Sequence, residues 1–460
     1  MTESSKSNRF LNAPLPLVFF KTAAPIILIM LVNGSFSLVD AYFLGVFVGA
    51  DALTAVTSMF PAFIMIVALS TLVSNGFASL MARQLGAGDR ANSVETFSQA
   101  ISLSLVVCVL LIVLFSMGGK ALVASVSNDV TEIAAMSYSY IAILVFFSPL
   151  VFILSINGDS LRCEGKVAFM AFISLFSVLL NGLFNYLLIV EMNWGVQGSA
   201  YGTVLAQAMS LLIIYFYRKY QPSDLELQVI RFSKSRQHWS RFLALGAPSS
   251  LNYIGLALSS AAILYSLQSW GAENYTSTVG AYGIITRLMT FIFLPLLGLS
   301  MAFQAIVGNN FGANELGRVN ASIKIALGVS FIYCLCLQLI VFSFKGELGA
   351  LFVSDQVVIS EVIRILPLTI LALFLVGPQM MVSMFFQAIG DAKRAGILGI
   401  MKTYGFSLPL IFILPFFFDE WGIWYAAPST ELLALLLTVL VLSYRNKQAN
   451  MSFGLFFKDN

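Results

Sequence analysis

The chain has 460 residues, of which 59% are hydrophobic and 10% charged; a soluble domain carries roughly a quarter charged. No soluble interior of this size hides so much apolar surface, whereas lipid does, and runs that do not alternate exclude a membrane β-barrel. The net charge of +3 lies in short loops and points to no nucleic-acid partner.

Many apolar runs exceed the roughly 18 residues that cross a bilayer as a helix. In chain order they predict twelve helices, at 17–48, 52–80, 94–118, 132–158, 167–190, 196–218, 241–270, 277–306, 321–344, 357–388, 395–418 and 422–444. The N-terminal MTESSKSNRF is polar and runs into a helix too long for a cleavable signal, so it reads as a tail. Alternate loops carry Lys and Arg, among them Arg83, Arg90, Arg162, Lys166, Arg318, Lys393 and Arg394. The positive-inside rule then places both termini in the cytoplasm of a bacterial inner membrane.

The longest basic loop, 219–240, divides the chain into an N-terminal lobe, 1–218, and a C-terminal lobe, 241–460. The lobes echo each other. LGAPSS around Pro248 repeats KTAAPI around Pro25, NNFGAN repeats RQLGAG, and the stretch at Trp421 repeats the one at Trp194, at offsets of 223, 226 and 227 residues. Six helices in each unit give both the same orientation. The expected fold is therefore all-α, two six-helix bundles related by a pseudo-two-fold axis along the membrane normal, with a site between or within the halves.

Polar side chains inside lipid cost about 2.5–3.5 kcal/mol for a mid-bilayer carboxylate, so they mark function. Asp40, in NGSFSLVDAYFLG of the first helix, lies eight residues from that helix's outer end, about 12 Å at the helical rise. Asn181 and Asn185 on the fifth helix share one face at i, i+4. With Thr203 on the sixth, they reach a similar depth. One carboxylate, two amide oxygens and a hydroxyl suit a proton or a sodium ion; the amides and hydroxyl serve equally as glue between helices. Asn33 and Phe36 lie inward of Asp40, and Gln207 one turn beyond Thr203, all as candidate pocket lining. Pro25, below Gly34, marks either a static kink or a point of bending.

At the repeat offsets Asp40 falls on Ile263, Asn181 on Leu408 and Asn185 on Phe412, while Thr203 keeps its type at Thr430. The acidic site belongs to the N-terminal half. In the other half, Arg287 and Glu431 have matching depths, which allow a buried ion pair that reads as structural or gating ahead of substrate contact, and Lys402 is close enough to the cytoplasmic side to snorkel. Cys108, Cys163, Cys334 and Cys336 read as small apolar core residues. One histidine, His238, and no CxxC give no metal site, and no Walker or GxSxG motif is present. An enzyme is not expected.

At these residues the chain resembles the multidrug and toxic-compound extrusion (MATE) family. Pro25 precedes Asp40 in the first helix; ASLMARQLGAGD and GLSMAFQAIVGNNFGAN look like its Gly-rich turns, SLRCEGK and QAIGDAKR like its paired turns, and WGVQGSAYGT opens helix six as in that family. PSSLNYIGLALSS lacks a helix-seven glutamate, which is similar to the DinF-type branch. That branch has Asn followed by Asp on helix five; here Asn185 replaces the acid, which makes protonation of Asp40 the simpler coupling step. The resemblance implies a V-shaped transporter that exports drugs or toxic cations against H+ or Na+, with no cofactor, expected to act as a monomer in lipid. A lipid-linked oligosaccharide flippase of the same superfamily is the alternative; it wants a strongly basic cavity, and this chain has few intramembrane cations.

Overall fold

The computed structural model describes residues 8–126, 131–221, 229–270, 275–353, 355–448 and 451–458. Ten described helices are long and apolar enough to cross a bilayer, and two further helix pairs qualify when each bent pair counts as one span, giving twelve. The N-terminal bundle holds α1 (Leu15–Phe47), α2 (Asp51–Gly86), α3 (Arg90–Val126), α4 (Thr131–Phe146 and Ser148–Cys163), α5 (Val167–Glu191) and α6 (Gly195–Tyr220). The C-terminal bundle holds α7 (Trp239–Ser269), α8 (Tyr275–Gly312), α9 (Leu316–Ser343), α10 (Gln356–Thr369 and Leu373–Ile389), α11 (Ala392–Phe418) and α12 (Glu420–Gln448).

The two bent spans turn by 47° in α4 and 48° in α10. In α4 the cause is local. Pro149 has no N–H for the carbonyl of Val145, so the helix breaks at Phe147. Several helices run further than apolar runs alone foretell. The second extends to Gly86 and the eighth to Gly312, because the polar turns after the apolar stretch stay helical once packed.

Within the first lobe α2 packs on α3 and α4, and α5 on α1 and α6; in the second, α10 packs on α8 and α9, and α11 on α7 and α12. The lobes meet along α1, α2, α7 and α8, in the pairs α1–α8, α2–α7 and α2–α8. Exchange of α1 with α7 and of α2 with α8 turns this set of contacts into itself, as a two-fold axis requires. The backbones touch where side chains are missing. A Cβ on Gly86 would sit 1.9 Å from the Asn309 carbonyl oxygen, and one on Gly312 would sit 1.9 Å from that of Arg83. These contacts are mates: 226 residues separate Gly86 from Gly312 and Arg83 from Asn309. Gly76 meets the Phe242 backbone and Gly246 the Leu72 backbone in the same way.

A polar chain reinforces this side of the seam, the side of the basic loops. Gln304 Nε2 donates to Asn75 Oδ1 at 2.7 Å, and Asn75 Nδ2 donates to Ser249 Oγ at 2.8 Å. Arg162, 1% exposed and paired with Asp159 at 2.9 Å, donates to the Met301 carbonyl at 2.6 Å and to Gln304 Oε1 at 3.1 Å. Arg83 donates to the Ala388 carbonyl at 2.8 Å. The N-terminal stretch, expected as a tail, is docked from Asn8 onward: Phe10 is buried, and its carbonyl accepts from Arg318 at 2.9 Å. After α12 a short hairpin pairs Met451–Ser452 with Phe456–Phe457, and buried Arg445 donates to the Gly454 carbonyl at 2.8 Å.

Candidate functional site

Asp40 lies in the outer half of α1, on the face turned into its own lobe. It is 8% exposed, and Asn181 and Asn185 are fully buried. Asn185 Nδ2 donates to Asp40 Oδ1 at 2.5 Å and approaches Asn181 Oδ1 at 3.2 Å. Asn181 Nδ2 donates to Thr203 Oγ1 at 3.1 Å. Helices α1, α5 and α6 thus join in one polar chain, Asp40–Asn185–Asn181–Thr203, enclosed by apolar packing. The i, i+4 spacing puts both amides on one face of α5, and that face meets α1 and α6.

Two features of the local backbone fix Asn185. It ends the regular helix and is followed by a π-helical turn, Tyr186–Glu191; such turns recur at functional sites. Opposite it, α6 offers Gly202, where a Cβ would lie 2.3 Å from Asn185 Oδ1. Glycine is needed there for the two helices to close on the amide. Asn185 Oδ1 itself is buried with no hydrogen-bond partner. The donor set therefore contains one carboxylate, one free amide oxygen and a threonine hydroxyl. That set fits a proton on Asp40, or a small hard cation held by oxygen atoms.

Sequence reasoning missed three members of this group. Ser199, fully buried one turn before Thr203, places a hydroxyl without a hydrogen-bond partner in the neighbourhood of Asp40. Tyr140 of α4 is buried in the neighbourhood of that charge. The spacing Ser199–Thr203 is a legible i, i+4 signal; Tyr140 carries none. Gly202 was legible only as part of WGVQGSAYGT.

The other expected positions divide. Gln207 is half-buried one turn along α6 and stands outside the hydrogen-bonded group among the described residues. The side chains of Asn33 and Phe36 lie outside the described residues. Helix α1 runs unbroken from Leu15 to Phe47 with Pro25 inside it.

The expected Arg287–Glu431 pair does not form. Glu431 pairs with Lys402, Nζ to Oε1 at 2.8 Å, so Lys402 does not snorkel either. Equal depth fixes height along the membrane normal and leaves direction around the helix open. α12 packs on α11, which carries Lys402. Arg287 belongs to the other face of α8: Leu294, seven residues on, touches Gly34 of α1, and Arg287 is exposed on that same stripe.

The pseudo-symmetric position in the second lobe is apolar. Ala262, Ile411 and Ala426 are buried together there, with Ile263 and Leu408 packed against them. By the repeat offsets Ile263 stands for Asp40, Leu408 for Asn181 and Ala426 for Ser199.

The family model described as MatE matches residues 25–187 and 248–413. The probable multidrug resistance protein YoeA of Bacillus subtilis (strain 168) is 24% identical over 90% of this chain and 90% of its own. The multidrug export protein MepA of Staphylococcus aureus (strain N315) is 26% identical over 94% of each. Among solved structures, an outward-facing multidrug resistance MATE family transporter superposes with a TM-score of 0.82 at 21% identity, covering 96% of this chain and 98% of that one. A MATE structure in the bent conformation gives 0.86 at 22% identity, covering 97% and 99%. With two matched stretches that start 223 residues apart and together span most of its length, the chain belongs to the MatE family.

Proposed function

We propose that this protein exports hydrophobic or cationic small molecules from the bacterial cytoplasm, by antiport with protons or sodium ions coupled through Asp40, as in a DinF-type transporter. The observation that carries the reading is a carboxylate with no cationic partner among the described residues, enclosed inside the first lobe and tied through Asn185 and Asn181 to two neighbouring helices. A charge so placed is expensive in its ionised form, and a proton or cation removes that expense. The relatives named for multidrug resistance and multidrug export supply the substrate class.

The cycle follows from this charge. The glycine crossings and the Gln304–Asn75 chain seal the basic-loop side, taken here as cytoplasmic. An ion from outside neutralises Asp40, the hold on a cationic substrate weakens, and the substrate leaves outward. The neutral site then tolerates burial as the lobes rock to the opposite opening. Loss of the ion to the cytoplasm restores the charge, and a new cation competes for it. Protonation is the simpler step, since it needs one carboxylate alone, whereas Asn185 turns its N–H and not its oxygen to Asp40 and leaves a metal cation there short of oxygen ligands. A sodium ion would draw on the free Asn185 Oδ1.

Dye efflux in proteoliposomes tests the scheme. Asp40→Asn is expected to abolish gradient-driven efflux while leaving the protein folded, and full activity in that variant overturns the coupling role. Opposed sodium and proton gradients decide which ion drives the wild type.

A further inference from the structure

The ion pair of Lys402 and Glu431 is not used by the scheme above. It stands near mid-span on two adjacent helices of the second lobe. At the same places in the first lobe, by an offset of 227, stand Leu175 and Val204. The bundle architecture therefore does not require a pair there. The pair is also incomplete. Glu431 Oε1 takes the Lys402 ammonium, while Oε2 is buried without a hydrogen-bond partner. Gln379 of α10 is adjacent, yet its amide donates at 3.0 Å to the Glu431 backbone carbonyl and not to the carboxylate.

Lys402 is the more exposed partner. Its side chain keeps 30% exposure against 15% for Glu431. It rides on a second π-helical turn, Met401–Ser407, of the kind that re-aims side chains at functional sites. A lysine also has a long, flexible stem and a compact ammonium head.

We propose that Glu431 is a second docking carboxylate, for the protonated amine of a transported cation, and that Lys402 holds the position until such a cation displaces it. The inference rests on the cation-export reading above. The exchange swaps one N–H donor on the carboxylate for another, and the free Oε2 gives an amine with two N–H bonds an acceptor that Lys402 leaves unused. Lys402 then swings toward the exposed side of its own helix. Neutral substrates bypass the site.

Equilibrium binding of dansylcadaverine, a fluorescent alkylamine that is protonated at neutral pH, to the full-length protein in nanodiscs, followed by fluorescence anisotropy, tests this. Glu431→Gln is expected to weaken binding by about tenfold, and Lys402→Met to tighten it by several-fold as the internal competitor is removed. Opposite signs are the signature. A pair that only braces the bundle moves both variants in the same direction or neither, and either result overturns the proposal. Lys402→Gln repeats the measurement if Lys402→Met fails to fold. Wild-type protein that does not bind dansylcadaverine counts against the cation-export reading itself, whereas normal wild-type binding with no change in the variants overturns only the second site.

Discussion

The two lobes share a backbone plan and differ in what they enclose. At one position the first lobe holds Asp40, Asn181 and Ser199; at its mate the second holds Ile263, Leu408 and Ala426. A turn or two further in, the order reverses: Leu175 and Val204 stand opposite Lys402 and Glu431. At these two sets of mates, each lobe is charged where the other is apolar. One backbone plan thus carries a different polar chemistry in each lobe.

The comparison breaks most sharply at the seam, which both lobes must share. Gly86→Val places a side chain against the Asn309 backbone and is expected to cost more than about 3 kcal/mol. Loss of a cooperative melt in detergent, or aggregation on purification, checks it; Gly312→Val is expected to match it, since the contact is its mate.

Next comes Asp40→Ile, which copies the second lobe's residue into the first. Gradient-driven efflux is expected to vanish, while the melting temperature holds or rises, because the apolar residue removes a buried charge. A protein that loses both activity and stability would show that the carboxylate is structural. Ser199→Ala, again the second lobe's residue, removes one hydroxyl beside Asp40. It is expected to change the ion dependence of efflux by up to about fivefold, near 1 kcal/mol, with little effect on melting. The smallest effect distinguishes the two threonines. Thr203→Val breaks the Asn181 link and is expected to cost about 1 kcal/mol. Thr430 donates only to the Ala426 carbonyl of its own helix, so Thr430→Val is expected to stay within about 0.5 kcal/mol. Equal losses in the two melts would remove the distinction between the lobes.

Much of this was legible in the sequence, for a physical reason. Hydropathy is a local property, so the twelve spans and the duplicated halves read directly from runs and offsets. Depth is local too, because residues counted from a helix end measure height in the bilayer. That count brought Asp40, Asn181, Asn185 and Thr203 to one level, and the hydrogen bonds join them. Direction around a helix is not local. It depends on which neighbour each face meets, and so Glu431 found Lys402 and not Arg287. The same holds for Tyr140, brought into the neighbourhood of Asp40 by the packing of α4 on α6 and on the start of α2, and for Arg162. Arg162 sits in a basic turn that reads as a solvated loop, yet it is buried across the seam against Met301 and Gln304.

The crossing of Gly86 and Gly312 bears on how easily the molecule moves. Where two main chains touch at bare points, no knob has to be pulled from a socket before one body turns on the other. The paired glycines are suited to act as a fulcrum, with low resistance to rocking and little tolerance for separation. The hydrogen bonds of Asn75 and Gln304 cross the same seam through side chains, so the bare pivot and the polar latch are made of different atoms and can be altered apart.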